Sequence, residues 1–146
     1  MKAFKTILLG MAMALVMCLA APTASAQVLR DANYKSIGRI AGNGIVRDAR
    51  AKSVGSFDSD GSVRDRSGNK VGQIKRLEIF DASGERIGYI NTDGTVRDGQ
   101  SQVIGAVNLS DGKVTDASDR TLGYARGIRV DWIACYYLFN MFNALK

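Results

Sequence analysis

The sequence predicts an all-β chain of short hairpin repeats, about 17 residues each, arranged radially around a pseudo-symmetric axis and ended by a short apolar helix or plug. Three observations predict this. An apolar–glycine pair recurs at Ile37-Gly38, Val54-Gly55, Val71-Gly72, Ile87-Gly88, Ile104-Gly105 and Leu122-Gly123, with glycine spacings of 17, 17, 16, 17 and 18. A turn element recurs in step with it, Asn43-Gly44, Asp60-Gly61, Asp93-Gly94 and Asp111-Gly112, each followed two residues later by valine. A third element follows at Arg47-Asp48, Arg64-Asp65, Phe80-Asp81, Arg97-Asp98 and Thr115-Asp116. Self-similarity at a fixed short period marks a repeat architecture. Turn signals this closely spaced leave room for strands of about four or five residues and none for helices.

The chain begins differently. Lys2 and Lys5 precede an apolar run from Ile7 to Ala21, and Ala24-Ser25-Ala26 supplies the small-x-small pattern of a signal-peptidase site. Residues 1–26 are therefore expected to be a signal peptide, with the mature chain starting at Gln27 and exported to the periplasm, the outer envelope or the extracellular space of a Gram-negative bacterium. That leaves 120 of 146 residues (146 − 26), a single small domain. Cys18 leaves with the signal and Cys135 remains alone, so no intrachain disulfide can form and the fold must rest on its own core. Cys135 lies in an apolar stretch and reads as a small buried hydrophobe. Without Lys2 and Lys5, 18 basic side chains face 14 acidic ones, a net charge of +4. The signs alternate along the chain and no basic block occurs, which argues against nucleic acid as a partner.

The repeat domain spans 27–131. In the unit Gly88–Asp98, Tyr89-Ile90 leads into Asn91-Thr92-Asp93-Gly94 and Thr95-Val96-Arg97 leads out. Asx at the first position and glycine at the fourth is type I turn chemistry. Asp58-Ser59-Asp60-Gly61, Asp65-Arg66-Ser67-Gly68 and Asp81-Ala82-Ser83-Gly84 repeat it. A glycine placed identically in every unit marks a point where backbones crowd. Gly38, Gly55, Gly72, Gly88, Gly105 and Gly123 are thus expected to ring the axis, with Ile40, Phe57, Ile74, Ile90 and Val107 packed just outward of them. The competing arrangement is an open meander with a bulge at each glycine; closure is preferred because it removes exposed strand edges. The third unit, Lys75–Phe80, lacks the Asp-Gly turn and is expected to be shaped differently.

After Asp131 the chain turns apolar and aromatic through Trp132–Phe139 and on to Lys146. Asp131 is placed to cap a helix here. Such a helix is shorter than a bilayer is thick and apolar nearly all round, the pattern of a buried element. Residues 132–146 are read as a plug over the ring. The alternative is a membrane or partner contact through Trp132, Tyr136, Tyr137, Phe139 and Phe142.

The text around Arg86–Asp98, and Ser118–Ala125 leading through Gly127-Ile128-Arg129-Val130-Asp131-Trp132 into an aromatic tail, resembles the five-fold β-flower proteins, small exported proteins of Bacteroidota-type bacteria. The resemblance covers most of residues 28–142 and implies hairpin petals around an axis. It carries no activity and no catalytic residues. Six glycine-marked units stand where the family name counts five, so the petal number is left open. Phe80–Gly88 is also similar to the YD-type repeat of large toxin shells.

Little else points to chemistry. Histidine is absent, which removes imidazole bases and ligands, and zinc lacks its usual donors. Asp58-Ser59-Asp60-Gly61 starts like a calcium loop, but no glutamate follows at the EF-hand spacing. No metal, no cofactor and no enzymatic activity are expected. The equivalent positions of Arg47, Arg64 and Arg97 and of Asp48, Asp65, Asp98 and Asp116 suggest a girdle of ion pairs between petals, or a charged rim for a polyanion or carboxylated glycan. The function expected is a structural or binding module of the cell envelope, for a glycan or protein, with Tyr89 and Tyr124 as contact residues. Two alternatives stand beside it: an envelope glycan-active enzyme working through aspartates, and a membrane-associated accessory protein docking by its aromatic end.

Overall fold

A computed structural model describes residues 27–143; residues 1–26, expected above to be a signal peptide, and residues 144–146 of the tail lie outside the described residues. Twelve antiparallel strands run in sequence order: β1 (Gln27–Asp31), β2 (Ser36–Ile40), β3 (Ile45–Asp48), β4 (Ser53–Phe57), β5 (Ser62–Asp65), β6 (Lys70–Lys75), β7 (Glu78–Asp81), β8 (Arg86–Ile90), β9 (Thr95–Asp98), β10 (Val103–Val107), β11 (Lys113–Asp116) and β12 (Thr121–Tyr124). One helix, α1 (Val130–Tyr137), follows. Each strand pairs with its chain neighbours, and β12 pairs with β1, so the sheet closes into a barrel. Five petals are consecutive hairpins, β2–β3 through β10–β11. The sixth is composite, made of β12 and β1 from opposite ends of the chain.

Strand alternation sends three residues of every petal inward. Petal β2–β3 gives Gly38, Ile40 and Val46; petal β8–β9 gives Gly88, Ile90 and Val96; the composite petal gives Gly123, Ala125 and Leu29, all buried. The level formed by Leu29, Val46, Val63, Ile79, Val96 and Val114 is fully enclosed, each residue 0% exposed. The repeat glycines therefore line the barrel wall. Ile40, Phe57, Ile74, Ile90 and Val107 are not radially outside them, as the sequence suggested, but two residues along the same strand face, one level further down the axis.

Glycines and bulges occur together. In each petal the residue before the glycine is an extra one in the ladder: Val46 pairs with Gly55 and Arg47 with Ser53, which leaves Val54 bulged. The same shift isolates Ile37, Val71, Ile87, Ile104 and Leu122. The choice between a closed ring and glycine-marked bulges thus had two true halves. A bulge bends and twists its strand, and six in register help curve the sheet shut.

Two sets of turns cap the barrel ends. At one end Gly44, Gly61, Gly94 and Gly112 take positive φ, between 75° and 93°, and a side chain there would run into backbone of the next petal. That contact is a link between petals: Phe57 N–H donates to Gly44 O, Ile74 to Gly61, Val107 to Gly94 and Ala125 to Gly112. The irregular third unit makes the same link with a two-residue turn, Ile90 N–H donating to Leu77 O, and Arg76 takes the positive φ of 59°.

The glycine positions carry a test. A methyl group on Gly88 would overlap the Arg97 carbonyl oxygen and the Phe139 ring, whereas one on exposed Gly42 meets nothing within 4 Å. Gly88→Ala is expected to lose about 1–3 kcal/mol in urea unfolding, the usual cost of overpacking. Gly42→Ala should be neutral or slightly stabilising.

Candidate functional site

The lumen is filled by the chain's own end. Ile133, Ala134, Cys135, Tyr136 and Tyr137 of α1 are all buried among the inward strand residues, and Trp132 stacks on Phe57 with ring centroids 5.0 Å apart. The helix stops after eight residues. Asp131 is not its cap, as the sequence suggested, because Arg129 holds the N-cap position. Asp131 sits in the first turn, 4% exposed, gripped by Arg129 Nε and Nη2 at 3.1 and 2.6 Å.

Beyond α1 the tail circles the glycine ring. A side chain added to Gly123 would strike Tyr137, at Gly105 Leu138, at Gly88 Phe139, at Gly72 Met141 and at Gly55 Phe142. These five residues each rest on the bare backbone of one petal, taken in spatial order, while at Gly38 an added side chain would meet the Arg47 and Asp48 backbone first. Six petals in a circle stand 60° apart, whereas α-helical residues step by 100°. The chain leaves the helix so that successive side chains can meet successive petals, and Asn140 makes the corner at φ 48°. Tyr136 and Tyr137 are buried, while Trp132, Phe139 and Phe142 are half-buried. The side chains proposed for membrane or partner contact thus lie inside the barrel and across its mouth.

Tyr137 also closes the seam. The β1–β12 ladder has only two residue pairs, Arg30 with Tyr124 and Asp31 with Gly123. The Tyr137 hydroxyl donates to the Arg30 carbonyl at 2.7 Å and lies 3.3 Å from the Tyr124 carbonyl, bridging both strands from within. Burial pushes the Tyr137 phenol well above its ordinary value and raises Tyr136 to about 12. Burial likewise raises the Cys135 thiol, which keeps it in the unreactive protonated form.

The aspartates build turns. Asp31, Asp48, Asp65, Asp81, Asp98 and Asp116 each accept two backbone N–H bonds through Oδ1, from the residues two and four positions on, at 2.8–3.0 Å. Hydrogen bonds from Lys52, Ser83 and Arg120 hold Asp48, Asp81 and Asp116 below the usual 3.8, and those from Ser62 and Thr95 do the same for Asp60 and Asp93. A glycosidase acid needs the opposite shift. The would-be calcium oxygens are engaged as well: Asp60 accepts from Ser62 N–H, and Asp58 from Arg64 and Ser56.

The ion-pair girdle does not form. Arg30, Arg47, Arg64 and Arg97 each reach four residues on, donating to the carbonyl of Tyr34, Ala51, Gly68 and Ser101. Their geometry clamps a turn within one strand connection instead of bridging petals. Among the described residues only Arg64 of this set has an acidic partner, Asp58 at 2.8 Å.

What remains open to a ligand is the outer surface. A cleft of about 420 Å3 lies where the chain enters the barrel, lined by Leu109, Ile128, Arg129 and Ile133 among others. One of about 300 Å3 lies at the opposite mouth, between Val54, Val71, Met141 and Phe142. Tyr89 is half-buried on the outer wall, its hydroxyl 3.0 Å from Ser101 Oγ and its ring under Arg86. Tyr124 is half-buried at the seam, in a T-shaped pair with Tyr34 whose ring centroids are 5.0 Å apart. The sequence overlooked Tyr34 and Arg30, because β1 meets its partner only across nearly the whole chain. Tyr34 is 58% exposed and lies under the Arg30 guanidinium.

The match to known families agrees with this architecture, for residues 25–141 fit the family described as 5-fold beta-flower protein. The chain belongs to that family. No curated protein and no solved structure matches it. In this β-flower the petal count is resolved as five consecutive hairpins and one composite petal.

Two outcomes are expected. Tyr137→Phe removes the hydroxyl that donates to the Arg30 carbonyl at the seam, so it should lower stability by about 1–3 kcal/mol and speed hydrogen exchange in β1 before other strands. The lowered turn carboxylates stabilise the fold at pH values above 3.8, and that contribution is lost as pH falls through their folded pKa values. The raised tyrosines act in reverse, stabilising below 10 and failing as pH rises through about 12 for Tyr136. Thermal melts should be flat across neutral pH and fall at both extremes.

Proposed function

We propose that this β-flower is an exported, non-catalytic binding module of the bacterial cell envelope that presents its outer wall and turns to a ligand. The observation that carries this reading is the filled lumen. A wide barrel can hold a ligand only if its interior is left free, and here Tyr137, Leu138, Phe139, Met141 and Phe142 occupy the glycine seats. The clefts at the two mouths lie outside the filled lumen, and recognition falls to the convex outer wall.

Export is supported by the basic start, the apolar run and Ala24-Ser25-Ala26. The first described strand begins at Gln27, so a cut after Ala26 leaves all twelve described strands intact. The Gln27 side chain donates to Gly127 O at 2.5 Å, which secures the new terminus. Cys135 is fully enclosed and protonated, so an oxidising compartment would not disturb it.

Full-length protein expressed in a Gram-negative host and separated into cytoplasmic and envelope fractions tests the reading. The envelope fraction is expected to contain a species whose intact mass equals residues 27–146. Retention of the full 146-residue mass in the cytoplasm would overturn it.

A further inference from the structure

The outer wall is not electrically uniform. Residues 30–70 carry nine basic and five acidic side chains, a net +4, while residues 71–143 carry eight basic and nine acidic, a net −1. The excess positive charge of the barrel is therefore confined to the arc from β1 to the start of β6.

The centre of that arc is a like-charge pair. Arg39 on β2 faces Arg47 on β3 directly across the ladder. Both point outward, because Gly38, Ile40 and Val46 point in. The equivalent pairs in other petals are Ser56 with Arg64, Gln73 with Phe80, Tyr89 with Arg97, Ala106 with Thr115 and Tyr124 with Arg30. Among the described residues this is the one petal that opposes two cations. Like charges directly across a ladder are destabilising, and neither arginine has an acidic partner among the described ion pairs. Lys35, Arg50 and Lys52 stand exposed on the two flanking turns. Asp31 and Asp48, at the bases of those turns, are each committed through Oδ1 to two backbone N–H groups.

The arc ends on the seam aromatics, where Arg30 lies over the Tyr34 ring at 4.6 Å and Tyr124 forms a T-shaped pair with it. Aligned cations beside an exposed aromatic face suit a chain of acidic sugars, with sulfate or carboxylate on the arginines and a pyranose ring on Tyr34. A membrane surface would need apolar anchors on the same side, but the other exposed large hydrophobics, Val103 and Leu109, lie on β10 and the turn after it. Duplex nucleic acid is read by an element that enters a groove, and this wall is convex with short turns.

We propose that the Arg39–Arg47 face, with Lys35, Arg50, Lys52 and the Tyr34–Tyr124 pair, is a binding surface for an acidic polysaccharide. This rests on the outer-wall binding role inferred above, and it names the ligand class. An anionic ligand lying across both arginines neutralises them and relieves their repulsion.

The test uses the purified 27–146 chain and heparin as a sulfated-glycan probe, titrated between 50 and 200 mM salt. Dextran, a DNA duplex and phosphatidylglycerol vesicles form the comparison arms. Wild type should bind heparin with a steep salt dependence and bind the other three at least tenfold more weakly. Arg39→Glu should bind heparin at least tenfold more weakly yet melt at the same or a higher temperature, since it turns a repulsive pair into an attractive one. Arg76→Glu, with the same charge change in the β6–β7 turn two petals away and outside the basic arc, should stay within twofold of wild type. Absence of heparin binding, equal loss in both variants, or equal binding to DNA or vesicles would overturn the proposal. Localisation in the envelope is read separately, so a protein that is exported yet ignores heparin refutes the ligand and leaves the export reading standing.

Discussion

A twelve-stranded barrel has more interior than its own wall residues can fill, and this β-flower meets that constraint by placing the end of the chain inside. The solution depends on backbone bared at one level of the wall. Had Gly55, Gly88 or Gly123 carried a side chain, Phe142, Phe139 or Tyr137 could not lie where they do. The hydrophobic gain is substantial, since aromatic and leucine-sized side chains each contribute roughly 1.5–3 kcal/mol when fully buried. The repeats supply mostly valine and isoleucine, and the tail supplies the large rings. Neither part has a complete core without the other.

The same dependence explains the modest hydrogen-bonding at the seam. A ladder of two pairs between β1 and β12 would be a weak closure by itself. Tyr137 strengthens it from within, and Gln27 fastens the first strand to the loop before α1. Petals elsewhere are linked by turn carbonyls that accept from the next strand, so each petal is held by its neighbours in the ring. The turn aspartates stiffen the opposite end without pairing across petals.

The repeat was legible because every petal needs the same local backbone. The glycine period, the Asp-Gly turns and the strand lengths are short-range demands, and they appear in the text of each unit. The features that escaped depend on partners distant in sequence. Gln27–Asp31 completes a petal begun by Thr121–Tyr124, so Arg30-Asp31 did not look like a member of the series. The crowding at the glycines was correctly sensed but assigned to converging hairpins; its source is a cross-strand carbonyl together with the tail. The Arg-Asp text suggested ion pairs between petals because the residues recur at equivalent positions, yet each side chain serves a different part of one turn. At the outer surface, Arg39 was visible all along as the odd member of the series Ser56, Gln73, Tyr89, Ala106 and Tyr124. Its meaning needed the register that sets it against Arg47.

The composite petal and the inserted tail have a bearing on how the molecule comes into being. The first strand synthesised must wait for the last, and the lumen stays hollow until the final dozen residues have left the ribosome. Pairings between distant parts of a chain form late, because loop closure must be met before they contribute. Partial chains would therefore remain open ribbons of hairpins. Closure therefore waits on the carboxyl end, and a nonsense codon at Tyr137 would leave an unfinished shell instead of a slightly shorter protein, because it removes the side chains that rest on the petal glycines.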